Sequence, residues 1–241
     1  MFHSPEVFVA RITRKELKTD KFALEVEHGL TFFEQHQKEI TRYGGIVLVV
    51  AAVVFGIRLY LGHQHTVRET ALAKAILVQE TGVGPAVQGA SATFPTQQVK
   101  EEAAVKAFSD VKKSYAGHDE GEIAEYYLGA IRADQGNLGE AEKSFQEVAQ
   151  KGDEKYASLA KLSLGQVYFA EGKPDQAEKI LRELIAHPTI FVSAEQAQIA
   201  LARGLLPSKP AESRKILDGL RNRPGTVGQV ALTLYSELPP Q

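Results

Sequence analysis

The chain has no cysteine, which excludes disulfides, thiolate nucleophiles, cysteine-based zinc sites and a bacterial lipoprotein anchor. It also lacks a field of one charge sign. Its 28 Lys and Arg against 30 Asp and Glu leave a net charge of −2, and interspersed signs give no basic surface for nucleic acid. Gly-rich phosphate loops, a G-x-S-x-G elbow and an H-E-x-x-H helix are all missing, and nothing pairs Ser with Asp and His into a triad. We expect no catalytic site, no cofactor and no bound metal. His63 and His65 are a lone pair, and residues two apart on a helix point in different directions, which argues against shared ligation. His118 and His187 fall at expected helix ends, where they meet terminal carbonyls or water. Glu101-Glu102 and Asp119-Glu120 read as solvated acid pairs.

Long apolar runs are scarce as well; there is one. Residues 43–62 (YGGIVLVVAAVVFGIRLYLG) carry no charge between 44 and 57, and Arg58 is the only charged side chain before Gly62. At helical rise, residues 44–62 reach about 28 Å, close to the thickness of a bilayer's hydrocarbon layer. Arg58 can lay its stem along lipid and bring its head to the interface. A leader of 43 residues and the absence of an A-x-A cut site distinguish this run from a cleaved signal peptide. We expect a single transmembrane helix at 44–62.

The flanks of this run differ. Residues 1–43 hold seven Lys/Arg and seven acids. The basic residues near the run and the ease with which long domains are translocated place the N-terminus in the cytoplasm and the large domain outside. Phe22, Val26, Phe33 and Ile40 share a face of a helix that Thr19 or Asp20 can cap, giving an amphipathic leader that lies on lipid or docks on a membrane partner. Beyond the run, helix signals continue from 66 to 80. Residues 82–95 (GVGPAVQGASATFP) then have neither charge nor period and read as a flexible loop, so that 63–95 forms a juxtamembrane segment. Thr96 starts a helix that Gly117 stops.

Residues 96–241 form the large domain, and a repeat of period 36 organises it. EYYLGAIRADQGNLGEAEKSFQEV (125–148) matches KLSLGQVYFAEGKPDQAEKILREL (161–184), pairing Leu128 with Leu164, Gly129 with Gly165, Gly136 with Gly172, Ala141 with Ala177 and Phe145 with Leu181. A worn third copy, SRKILDGL (213–220), follows at the same offset. Periods of this size mark stacked helical hairpins. The expected units lie near 122–155, 158–190 and 194–222, with Pro207 and Pro210 breaking the third and a closing helix at 226–238.

These residues resemble the tetratricopeptide repeat over about residues 122–220. The resemblance implies that the Leu-Gly pair brings two helices close, that the turn glycine follows, and that Ala and a large apolar residue lock the second helix. The second copy also has the aromatic at Tyr168, where the first has Arg132, and the third offers Ala200-Leu201 in place of the Leu-Gly pair. The predicted fold is therefore all-α: an amphipathic leader helix, one transmembrane helix and a solenoid of helical hairpins.

The overall architecture, with the leader at 11–26, resembles the YfgM-like ancillary subunits of the SecYEG translocon. That resemblance implies a scaffold that bridges translocon subunits and periplasmic chaperones or exported chains; the alternative is a structural subunit of another inner-membrane complex. In tetratricopeptide domains the ligand-facing positions lie on the first helix of each pair. They fall here at Ile123, Tyr126, Ala130 and Ala133, then at Leu159, Leu162, Gln166 and Phe169. None is the Lys, Arg or Asn that grips a carboxylate. An apolar groove of this kind suits an amphipathic helix or an unfolded segment, unless the closing helix or a neighbouring repeat fills it.

Overall fold

The computed structural model describes residues 14–84 and 93–239, with side chains described at Lys38 and from Thr41 onward. Nine helices occur among the described residues, and an isolated parallel bridge between Val83 and Phe94 is the only β pairing there. The chain divides into two units, Met1–Gln64 and His65–Gln241.

The first helix, α1 (Arg14–Glu80), runs unbroken through Gly44 and Gly45. A glycine costs a helix interior about 1 kcal/mol, too little to interrupt a helix propagating from both sides. Between Tyr43 and Leu61 its apolar side chains face outward all round, with Leu48 at 71% and Phe55 at 66% exposure. The segment Thr41–Glu80 is long and apolar enough to cross a membrane. The amphipathic face expected at Phe22, Val26, Phe33 and Ile40 lies outside the described side chains.

In the second unit the end of α1 changes character. Leu72 and Ala75 are buried against Phe108 and Val111 of α2 (Gln97–Ser114) and against Leu128 and Ile131 of α3 (Asp119–Asp134). The connection between α1 and α2 is tied at its ends: Gly84 donates to Phe94 and Phe94 donates to Gly82, each at 3.0 Å. Its centre, 85–92, lies outside the described residues. Thr96 caps α2 by accepting from the Val99 amide, and Gly117 adopts φ +79° beyond its end.

Three hairpins follow: α3 with α4 (Leu138–Lys151), α5 (Glu154–Ala170) with α6 (Pro174–Ala186), and α7 (Ala194–Leu205) with α8 (Pro210–Leu220). Helix α9 (Thr226–Ser236) closes the array by packing Ala231 and Leu234 on Leu217 and Leu220. The second helices begin at 138, 174 and 210, so the 36-residue period is carried through all three. Pro210 does not break the third unit. Like Pro174, it opens a helix, at a position where its missing N–H has no intrahelical role.

Each hairpin closes where a small residue admits its neighbour. A Cβ on Gly129 would lie 3.0 Å from the Phe145 ring, and one on Gly165 would lie 2.7 Å from Leu181. In the third hairpin this place belongs to Ala202, not to Ala200-Leu201. Ala202 is fully buried beside Leu217, and Ser213 donates to its carbonyl at 2.8 Å. The shift comes from the turn. Gly136 and Gly172 take φ of +77° and +73° in the first two turns, whereas no residue between α7 and α8 has positive φ. With that glycine missing, the first helix of the third hairpin slides one residue against the 36-residue register.

An ionic ladder repeats with the same period. Lys173 bonds Glu142 at 2.8 Å and Lys209 bonds Glu178 at 2.5 Å, each joining the start of one second helix to the preceding second helix. These lysines hold Glu142 and Glu178 below the usual carboxylate range. By contrast, α2, α3 and α4 meet around buried charge. Glu125 lies 2.6 Å from Lys112 and 3.6 Å from Arg132, and Lys112 also reaches Glu147 at 3.3 Å. Glu120 is buried rather than solvated, because Arg68 of α1 donates to it at 3.1 Å.

Candidate interaction groove

The helices that begin each hairpin touch one another in sequence, α3 with α5, α5 with α7, and α7 with α9, forming one row with α4, α6 and α8 outside it. Where α5, α7 and α9 meet, this row leaves a groove of about 320 Å³. Leu162, Ile199, Ala200, Val227 and Val230 give it an apolar floor, and Gln166, Gln196, Thr226 and Arg203 supply the polar groups. Arg203 is exposed and makes no ion pair among the described residues.

Of the positions expected to face a ligand, Leu162 and Gln166 line this groove. The others are half-buried and pack in part against the cores of neighbouring elements. Ile123 joins the core beneath α1 and α2, and Leu159 joins the core between α6 and α7. Tyr126, Ala130 and Ala133 lie against the core of the first two hairpins. The Tyr126 ring lies 5.6 Å from Phe145 and 5.9 Å from Tyr156, and its hydroxyl is 3.5 Å from that of Ser163. Phe169 is taken up by the next hairpin: a Cβ on Gly204 would sit 2.1 Å from its ring. A neighbouring repeat thus fills the upper part of the row, while α9 forms one wall of the open part.

The residues that sequence reasoning missed are on α7 and α9. Gln196, Ile199 and Arg203 repeat Leu159, Leu162 and Gln166 at an offset of 37, not 36. The missing turn glycine was the available signal. Arg203 therefore brings a cation to a face whose first two repeats offer none.

The groove's lining contains no histidine and no carboxylate. Among the described residues no group of three or more His, Asp or Glu is arranged to hold a metal ion. His65 is engaged instead by Glu69 at 3.3 Å and lies 3.9 Å from Glu120. Tyr127 and Tyr156, half-buried along the same row, have their hydroxyl pKa raised by burial.

An array of antiparallel hairpins whose inner helices expose a concave row is a helical-repeat module of the protein-binding type. Residues 31–197 match the tetratricopeptide repeat-like domain family, and the chain belongs to it. The match begins ahead of the apolar run and so includes it with the first two hairpins. This fold typically serves protein–protein interaction, and no catalytic family is indicated. No curated protein and no solved structure matches the chain.

Proposed function

We propose that the chain is a membrane-anchored protein-interaction scaffold of a bacterial inner membrane, with its N-terminus cytoplasmic and its helical array periplasmic. It serves as an accessory of the secretory translocon and links translocon subunits to periplasmic chaperones or exported chains. The apolar floor of the α5–α7–α9 groove, and Arg203 with no ion pair among the described residues, favour an amphipathic or extended apolar segment with an acidic residue opposite Arg203. The observation that carries this reading is the groove itself, open where α5, α7 and α9 meet. The resemblance of the leader and architecture to translocon ancillary subunits supports the choice of partner.

A photo-crosslinking residue at Ile199 or Val227 tests it in native membranes. Translocon subunits, chaperones or exported chains are expected among the adducts. Adducts dominated by subunits of an electron-transfer or other membrane assembly would transfer the scaffold role there. Protein recovered from the aqueous fraction without detergent would overturn the anchoring.

A further inference from the structure

The connection between α6 and α7 is longer than the array requires. The chain passes from α4 to α5 in two residues, 152–153, but takes seven, 187–193, to pass from α6 to α7. The added residues form a fixed tip. The Thr189 amide donates to the Val192 carbonyl at 2.9 Å, the Val192 amide donates to Thr189 Oγ1 at 3.1 Å, and the Thr189 and Ser158 hydroxyls lie 2.8 Å apart. Val192 is fully buried in the core between α6 and α7. The two residues before it are turned outward, Ile190 at 88% and Phe191 at 38% exposure. Phe191 meets Tyr156 edge-on, and Lys155 Nζ lies 5.9 Å from its ring centroid. An apolar pair presented on a hydrogen-bonded turn has little ordering entropy left to lose on docking.

The topology fixes which end of the array carries this tip. Glu120, in the first turn of α3, is bound by Arg68 and lies near His65, so α3 starts at the end where α1 enters. Short connections make successive helices antiparallel. Helix α4 therefore returns to that end, α5 leaves from it and α6 returns to it. The tip and His65 share one end of the array. His65 follows Gly62 by three residues, a tether of at most about 11 Å. The apolar run is thus joined through three residues to the end of the array that carries the tip.

We propose that Ile190 and Phe191 insert into the interfacial layer of the bilayer that holds the apolar run, giving the chain a second lipid contact; this rests on the membrane-anchored reading above. An aliphatic side chain, an aromatic ring and a lysine able to extend its ammonium outward are the combination that suits the headgroup boundary. Asp153 and Glu154 adjoin Lys155 in sequence and outweigh its charge, so the contact needs no anionic lipid. A membrane contact at the tip would also limit rotation of the array about its tether.

The chain has no tryptophan, so Phe191→Trp in the full-length protein, reconstituted in phosphatidylcholine vesicles, makes one indole the sole reporter. We expect blue-shifted emission, shielding from iodide, and about two-fold quenching by phosphatidylcholine brominated high on its acyl chains. An indole quenched by iodide and untouched by brominated lipid overturns the proposal. One shielded from both also overturns it, since that is the mark of protein cover. Val50→Trp, within the apolar run, separates the two readings. If it is quenched by brominated lipid and the tip reporter is not, the tip contact alone fails. If it is not quenched, the anchor fails and the tip contact with it. Ile190→Trp repeats the measurement at the more exposed tip position, where the side chain is not part of a core.

Discussion

Where α2, α3 and α4 meet, the array is held by buried charge; where α5 meets α7, it is held by a ring lying on a glycine. In the first junction Glu125 faces Lys112 and Arg132, and Arg132 stands where the second hairpin has Tyr168. Tyr168 bonds the preceding hairpin, accepting from Gln146 at 3.0 Å, whereas Arg132 reaches Glu125 and Glu140 within its own hairpin, so the same position serves different contacts in the two units. In the other junction Phe169 covers Gly204 and no ion pair is involved. One architecture thus tolerates both solutions, but they differ in what weakens them. Ion pairs depend on pH and salt, whereas apolar packing depends on shape.

The contrast can be broken most severely on the apolar side. Gly204→Ala puts a methyl where the Phe169 ring lies and should cost about 1–3 kcal/mol, independent of salt, in denaturant unfolding. A neutral result would mean that Phe169 swings aside freely. Glu125→Ala comes next. It removes the acid between Lys112 and Arg132, which keep Glu147 and Glu140 and are partly solvated, so the loss should be about 1–2 kcal/mol and should shrink as salt rises. Equal loss at low and high salt would place the packing, not the charge, in control.

The ladder gives a smaller effect and a defined pH window. Glu142 and Glu178 are depressed below their unfolded values by Lys173 and Lys209. Their contribution is therefore present above the unfolded value near ~4.3 and is lost as pH falls through the lower folded values. Glu142→Gln with Glu178→Gln should lower stability slightly at neutral pH and leave it unchanged below the folded values, which flattens the acid limb of a stability–pH curve. Glu122 has the opposite sign and the smallest effect. Burial and the nearby Glu147 raise its pKa, so its charge opposes folding at neutral pH and that penalty is relieved as pH falls. Glu122→Gln should raise the thermal midpoint slightly at pH 7 and not at all once the wild-type carboxyl is protonated.

The helices and the hairpin order were legible because apolar spacing and turn glycines are local signals. Leu128, Gly129, Phe145 and their partners 36 residues on occupy the close contacts that this spacing implies. The third hairpin was harder. Its register depends on a glycine that is missing, and a fixed offset misassigns Ala200-Leu201 by one residue. The burial of Glu120 was invisible for a different reason: its partner, Arg68, is fifty-two residues away on the far side of a connection without pattern. Likewise the groove was half legible. Leu162 and Gln166 follow from the first-helix rule, but Phe169 and Tyr126 are claimed by neighbours that only the folded chain brings near.

The ladder lysines have a consequence for how such a chain can grow or shrink. Each rung is written within one period, its lysine at the start of one outer helix and its acceptor in the helix before. A duplicated block spanning 138–173, inserted after Lys173, would supply both halves of a new rung and leave the old ones intact. Lengthening by whole modules is thus electrostatically seamless along the outer wall.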